Sequence, residues 1–131
     1  DYEIAKEAYL EYFRKMHQLF PKCKKMLMAV RNQIASSHHT LSGLLYDAVE
    51  DQLYTTRIYD IEPIVDPMGV GDAFIAAYIH AHQKWGDKNQ YCLDFSLSAS
   101  AIKNTVPGDQ NLVTEEEIIN NMTSSGGRIQ R

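Results

Sequence analysis

Hydrophobic residues recur every three or four positions over residues 1–20 of the chain, and charged residues fill the positions between them. This spacing predicts an amphipathic helix, which Pro21 ends because proline has no backbone N–H to continue it. The apolar run Met26–Val30 follows without polar alternation. A continuous run of that kind predicts a strand buried on both faces.

Extended segments alternate with turns through the middle of the chain. Leu41–Tyr46 and Leu53–Ile58 are separated by the polar stretch Asp47–Gln52, and this arrangement predicts a β-hairpin. Ile61–Val65 is predicted to be a further short strand, in which Pro63 has no N–H to donate to a strand ladder. These segments together indicate a β-sheet.

Helices dominate the last part of the chain. A turn with two glycines leads into a predicted helix from about Ala73 to Trp85, and a second helix is predicted around Leu93–Ala101. The small residues of this second helix allow a neighbouring helix or a flat ligand to approach closely. Thr114 and Glu117 have the spacing of a capping box at the start of a last helix. The alternation of helices and strands predicts an α/β fold.

Composition and charge narrow the classes of function. The chain has 131 residues and a formal net charge of −4, which fits one globular domain or part of one. An acidic chain does not attract nucleic acid, and the short basic cluster of Lys22, Lys24 and Lys25 is not interleaved with aromatic side chains. Apolar runs are far shorter than a membrane-spanning segment. Cys23 and Cys92 cannot form a disulfide framework, so we expect a reducing, cytoplasmic environment.

The turn at residues 66–72 has the clearest chemistry. Gly69 and Gly71 allow the backbone to turn tightly and to approach a ligand closely. The helix that follows leaves its first N–H groups without intrahelical acceptors, so the turn is a candidate anion site. Asp72 would be placed to accept a proton from a hydroxyl that attacks a phosphoryl group. The alternative, that Asp72 only caps the helix, is equally compatible with the pattern.

The segment 66–74, DPMGVGDAF, resembles the C-terminal signature D-x-x-G-A/G-G-D-A/S-F of the pfkB or ribokinase-like carbohydrate kinases. Segments 37–46, 59–66, 100–113 and 126–131 are similar, in the same order, to the 2-keto-3-deoxygluconate kinases of that family. The resemblance implies the C-terminal part of a three-layer α/β/α fold. Residues 1–131 would form its nucleotide-binding segment, with the N-terminal sugar-binding part and the lid absent.

The resemblance also implies roles for individual residues. Asp72 matches the catalytic base, and the N–H groups of Gly69, Val70, Gly71 and Asp72 match the anion hole. Asp66 matches an aspartate that helps some members to bind a monovalent cation. The residues implied on the nucleotide side are Arg31, Ser98, Ala101, Pro107, Gly108 and Asn111. The implied ligands are ATP, Mg²⁺ and a sugar acid.

Two departures from the family pattern bear on activity. Val70 stands where the family has alanine or glycine, which leaves its backbone N–H in place. The N-x-x-E motif that organises magnesium in the family does not occur in this chain.

The histidine pairs, at residues 38–39 and at residues 80 and 82, do not predict a metal site. Side chains at these spacings point in different directions in a strand or a helix.

The sequence therefore predicts part of an ATP-dependent kinase that transfers the γ-phosphate to a hydroxyl of a keto-sugar acid such as 2-keto-3-deoxygluconate. The alternative is a non-catalytic nucleotide-binding or assembly module from a truncated or divergent kinase. Because the chain begins with Asp1 rather than methionine, we expect it to be part of a longer polypeptide. We expect these residues alone to be inactive and to form homo-oligomers through an exposed strand edge, without binding nucleic acid or membranes.

Overall fold

The computed structural model describes residues 2–65, 69–105 and 114–123, with side chains described from Lys6 onward. In chain order the elements are α1 (Tyr2–Leu19), β1 (Lys25–Ala35), β2 (His38–Asp47), β3 (Gln52–Thr55), β4 (Tyr59–Ile61), α2 (Val70–Trp85), α3 (Asn89–Lys103) and α4 (Glu115–Thr123). The four helices predicted from periodicity and capping are confirmed. In these ranges, no helix combines the length and the apolar character needed to cross a membrane.

The sheet is organised around β2, which pairs with all three other strands. On one edge β1 runs antiparallel to β2, with Met28 opposite Leu44. On the other edge β3 and then β4 pair with β2, with Thr55 opposite Leu44 and Tyr59 opposite Leu41. The predicted hairpin is thus confirmed, although its second strand ends at Thr55 and does not extend to residue 58.

Side chains of β2 alternate between the two faces of the sheet. Leu44 and Tyr46 belong to a cluster with Phe13 of α1, in which the Phe13 and Tyr46 rings stack with centroids 5.8 Å apart. Leu45, on the opposite face, packs in a second cluster with Leu97 of α3. The sheet therefore lies between α1 and α3, and the predicted three-layer α/β/α arrangement is confirmed.

Helix α3 approaches the sheet closely where its leucines contact Gly43 of β2, which has no side chain. A Cβ atom at this position would lie 3.3 Å from Cδ1 of both Leu93 and Leu97. The Gly43 N–H donates to Thr56 Oγ1 at 2.9 Å, and the Thr56 N–H donates to the Gly43 carbonyl at 3.0 Å. Leu93 and Leu97 of α3 thus pack directly against the backbone of β2. Two hydrogen bonds to Thr56 hold that backbone in place.

Asp47 joins the hairpin turn to the start of α3. Its Oδ1 accepts the N–H of Val49 at 3.0 Å, and its Oδ2 accepts the side-chain amide of Asn89 at 2.8 Å. Burial opposes ionisation of this carboxyl, but the hydrogen bonds from Asn89 and from the N–H groups of Glu50 and Val49 outweigh it and lower the pKa of Asp47. The end of β2 and the start of α3 are therefore held by one buried carboxylate.

The prediction that Met26–Val30 is buried on both faces is wrong. It lies in β1, an edge strand in which Ala29 and residues 31–35 are exposed. The reason is positional, since α3 covers the middle of the sheet and the described residues place no strand on the outer edge of β1. An apolar run predicts a strand but does not determine which neighbours cover it.

Two further boundaries differ from the prediction. The strand expected at Ile61–Val65 lies instead at β4, because Pro63 cannot donate to a ladder and the following N–H groups find other acceptors. The N–H of Ile64 donates to the Ser37 carbonyl and that of Val65 to the Asn104 carbonyl, both at 2.8 Å. Helix α2 begins three residues before the predicted start at Ala73.

Helix α4 is attached to α3 through the hydrogen bond from Ser98 Oγ to the Ile118 carbonyl, and to α2 through Glu115. Glu115 accepts hydrogen bonds from Lys84 at 2.7 Å and from His80 at 2.8 Å, which lower the pKa of its carboxyl. Thr114 Oγ1 accepts the Glu117 N–H at 3.1 Å, as the predicted capping box requires.

The packing of α3 on the sheet predicts a large effect of truncation at Leu97, which is fully buried. Leu97→Ala is expected to lower the free energy of unfolding by about 2–5 kcal/mol, because it removes buried methyl groups and leaves a cavity. Val49→Ala, at a residue that is 76% exposed, is the control and should change it by less than about 0.5 kcal/mol. Urea unfolding followed by circular dichroism measures both, and equal effects would contradict this assignment of the core.

Candidate functional site

The first turn of α2 is the candidate site. Gly69 precedes the helix with φ 82° and ψ 1°, a left-handed conformation that glycine adopts without steric cost. The Ala73 N–H donates to the Gly69 carbonyl at 2.9 Å. The N–H groups of Val70, Gly71 and Asp72 come before this bond, and the geometry of a helix start leaves them without intrahelical acceptors. They stand at the positive end of the helix dipole.

Asp72 is the third residue of α2, and its side chain is exposed. Within the described ranges its carboxylate makes no hydrogen bond and no ion pair, so it does not cap the helix through a side-chain hydrogen bond. The position in the first turn still places a negative charge at the positive end of the dipole. Its role as a base remains a prediction.

Space for a ligand is present on the outer side of this turn. Gly71 is exposed, and a Cβ atom built on it would meet no heavy atom of the described residues within 4 Å. Ala73 and Phe74, the next two residues, are buried in the core. One side of the turn is therefore fixed by packing, while the side that carries Gly71 and Asp72 is open. Such an arrangement can bind an anion and hold a carboxylate beside it.

The other predicted site residues fall into three groups. Arg31 is exposed in the middle of β1. Burial of His39 lowers the pKa of that histidine, and the charge of Arg31 lowers it further. Ser98 and Ala101 are fully buried, and Ser98 Oγ donates to the Ile118 carbonyl at 2.8 Å. In the described structure these two residues line helix contacts, and their role at a nucleotide stays a prediction. The remaining four predicted residues lie outside the described ranges: Asp66, Pro107, Gly108 and Asn111.

Sequence reasoning missed the surroundings of His38. Its Nε2 lies within hydrogen-bond distance of Asp60 Oδ1, and its Nδ1 lies 3.1 Å from Glu62 Oε2. The strand pairing of β2 with β4 brings these groups together, and no local spacing indicates it. No cluster of three histidine, cysteine or acidic side chains that could hold a metal ion occurs in the part of the chain that the structure describes.

Solved structures of the PfkB family of carbohydrate kinases share this fold, which confirms the resemblance predicted from residues 66–74. The chain is similar to 2-dehydro-3-deoxygluconokinase from Thermotoga maritima, with 27% sequence identity and a TM-score of 0.83 over 91% of this chain and 35% of that chain. It is also similar to a PfkB family carbohydrate kinase from Listeria grayi, with 29% identity and a TM-score of 0.81 over 86% of this chain and 34% of that chain.

A third solved structure, from Enterococcus faecalis, has 16% identity and a TM-score of 0.72 over 93% of this chain and 35% of that chain, and it supports the fold alone. The sequence matches no family model and no curated protein sequence. The chain spans about a third of the length of the solved structures that it resembles. What it shares with them is a kinase-like fold.

The geometry of the turn predicts opposite effects for two glycine substitutions. Gly69→Ala should lower the free energy of unfolding by about 1–2 kcal/mol, because alanine is strained at a positive φ. Gly71→Ala should raise it by about 0.5–1 kcal/mol, because alanine is the better helix former and its methyl group enters open space. Urea unfolding of both variants measures the difference, and effects of the same sign would contradict this turn conformation.

Proposed function

We propose that this chain is the C-terminal nucleotide-binding segment of an ATP-dependent sugar kinase. In the complete enzyme it would transfer the γ-phosphate of ATP to a hydroxyl of a keto-sugar acid such as 2-keto-3-deoxygluconate. The observation that carries the proposal is the first turn of α2, where N–H groups without intrahelical acceptors and the Asp72 carboxylate occur on one open surface. The likeness to two carbohydrate kinases supports the choice of reaction class.

The groups of the turn match the needs of phosphoryl transfer. Asp72 accepts the proton of the sugar hydroxyl while the hydroxyl oxygen forms a bond to the γ-phosphorus. The bond between that phosphorus and the β–γ bridging oxygen breaks, and ADP is released. The N–H groups of Gly69, Val70, Gly71 and Asp72 donate to the phosphoryl oxygens and offset their charge. Magnesium is implied by the family resemblance, and these steps use only groups of this chain.

The choice of a keto-sugar acid rests on the segments outside the turn and on the name of the Thermotoga maritima relative. A second candidate function is a non-catalytic nucleotide-binding or assembly module. One observation favours it: the N-x-x-E motif does not occur in these 131 residues. The two functions make different predictions for Asp72 and for the chain alone.

Replacement of Asp72 tests the proposed base. In the complete kinase, Asp72→Asn should lower kcat by about 10²–10⁴-fold, because the amide keeps the size of the side chain but cannot accept the proton. ATP affinity should change little, since the backbone N–H groups remain. Asp87→Asn, at an exposed aspartate just beyond the other end of α2, is the matched control. Steady-state kinetics measure both variants, and near-normal turnover of Asp72→Asn would leave Asp72 without a catalytic role.

The chain alone is expected to turn over no ATP in the presence of 2-keto-3-deoxygluconate. Phosphoryl transfer requires all its groups to be positioned together, and the sugar-binding part is not included. Self-association is expected as well, because the outer edge of β1 is unpaired among the described residues and Ile34 on it is exposed. A coupled ADP assay and light scattering measure these properties. Robust turnover by a monomer would contradict both expectations.

A further inference from the structure

The last turn of α3 holds both ends of the glycine turn. Before the turn, the Val65 N–H donates to the Asn104 carbonyl at 2.8 Å. After it, Ser100 Oγ donates to the Val70 carbonyl at 3.1 Å. Ser100 and Asn104 are one helical turn apart, and the Asn104 side-chain amide donates to the Ser100 carbonyl at 3.1 Å. One rigid element therefore fixes the chain on either side of residues 66–69.

We propose that Ser100 is a positioning residue that orients the Gly71 N–H toward the anion site. Asn104 positions the chain before the turn, through its bond to Val65. This inference rests on the proposed function, because the proposed function is what makes the first turn of α2 an anion site. Ser100 touches neither a nucleotide nor a sugar in this scheme. It acts only through the backbone of Val70.

The planar peptide bond between Val70 and Gly71 links the Ser100 hydroxyl to the Gly71 N–H. The Val70 carbonyl and the Gly71 N–H belong to the same peptide unit and point in opposite directions across a trans bond. A hydrogen bond to the carbonyl on the buried side therefore fixes the direction of the N–H on the open side. It also polarises the peptide unit, which makes that N–H a stronger donor to an anion.

Burial makes this contact specific. Ser100 is 0% exposed and Asn104 is 2% exposed, so water does not compete freely for their polar groups. Two other serines on α3 are equally buried but bond elsewhere. Ser96 Oγ donates to the Cys92 carbonyl within its own helix at 2.6 Å, and Ser98 Oγ donates to α4. Among these three buried serines, Ser100 is the one that contacts the first turn of α2.

Ser96→Ala is therefore a matched control for Ser100→Ala, since both remove one buried hydroxyl from the same helix. In ¹H–¹⁵N NMR spectra of the chain, Ser100→Ala should move the Gly71 amide resonance, whereas Ser96→Ala should leave it in place. In the complete kinase, Ser100→Ala should lower kcat by about tenfold relative to Ser96→Ala with the KM for the sugar unchanged, as expected for loss of one aiming hydrogen bond.

An unchanged Gly71 resonance in Ser100→Ala, or a kcat equal to that of Ser96→Ala, would overturn the inference. If Ser100→Ala does not fold, Ser100→Cys keeps the shape of the side chain with a much weaker donor and should change both readouts in the same direction. A complete wild-type polypeptide, with the chain N-terminal to these residues included, that has no kinase activity would refute the proposed function instead. In that case the Gly71 resonance still decides whether Ser100 orients the turn.

Discussion

Burial of β2 on both faces and both edges is the constraint on which the rest of the structure depends. Seven consecutive residues of this strand, Leu41–Asp47, are buried, which requires a helix on each face and a strand on each edge. Helix α1 covers one face and α3 the other. Helices α2 and α4 pack mainly on α3, and Phe74 of α2 also belongs to the cluster between α3 and the sheet. The position of the candidate site therefore depends on β2, because α3 packs on β2 and also contacts the first turn of α2.

This dependence separates the rigid part of the site from its open part. Ala73 and Phe74 anchor α2 in the core, whereas Gly71 and Asp72 occupy the first turn on its outer side. Anion binding at a site of this type depends little on which side chains are present, because backbone N–H groups provide most of the contacts to the anion. The valine at position 70, which departs from the family signature, is compatible with that use.

Local patterns predicted the helices, the hairpin and the glycine turn because each is determined by residues close in sequence. The periodicity of α1 and the Thr114 cap are of this kind. The exposure of β1 was not predictable from its apolar run, because it depends on which elements cover a strand. The start of α2 was misplaced because the left-handed conformation of Gly69 ends the preceding turn earlier than the apolar pattern indicates. Contacts such as His38 with Asp60 connect residues distant in sequence, and a single sequence carries no signal for them.

The close approach at Gly43 extends the set of residues that affect the candidate site. The leucines of α3 rest on this position, and the same helix carries Ser100 and Asn104 about one to two turns further along. A methyl group at position 43 would require the Leu93 and Leu97 side chains to shift by a few tenths of an ångström. A larger side chain would push α3 from the sheet, together with its contacts to the glycine turn. The spacing between two layers of the core is therefore a component of the binding geometry. A change in the middle of the sheet would thus reach the proposed anion site through α3, without contact with a ligand.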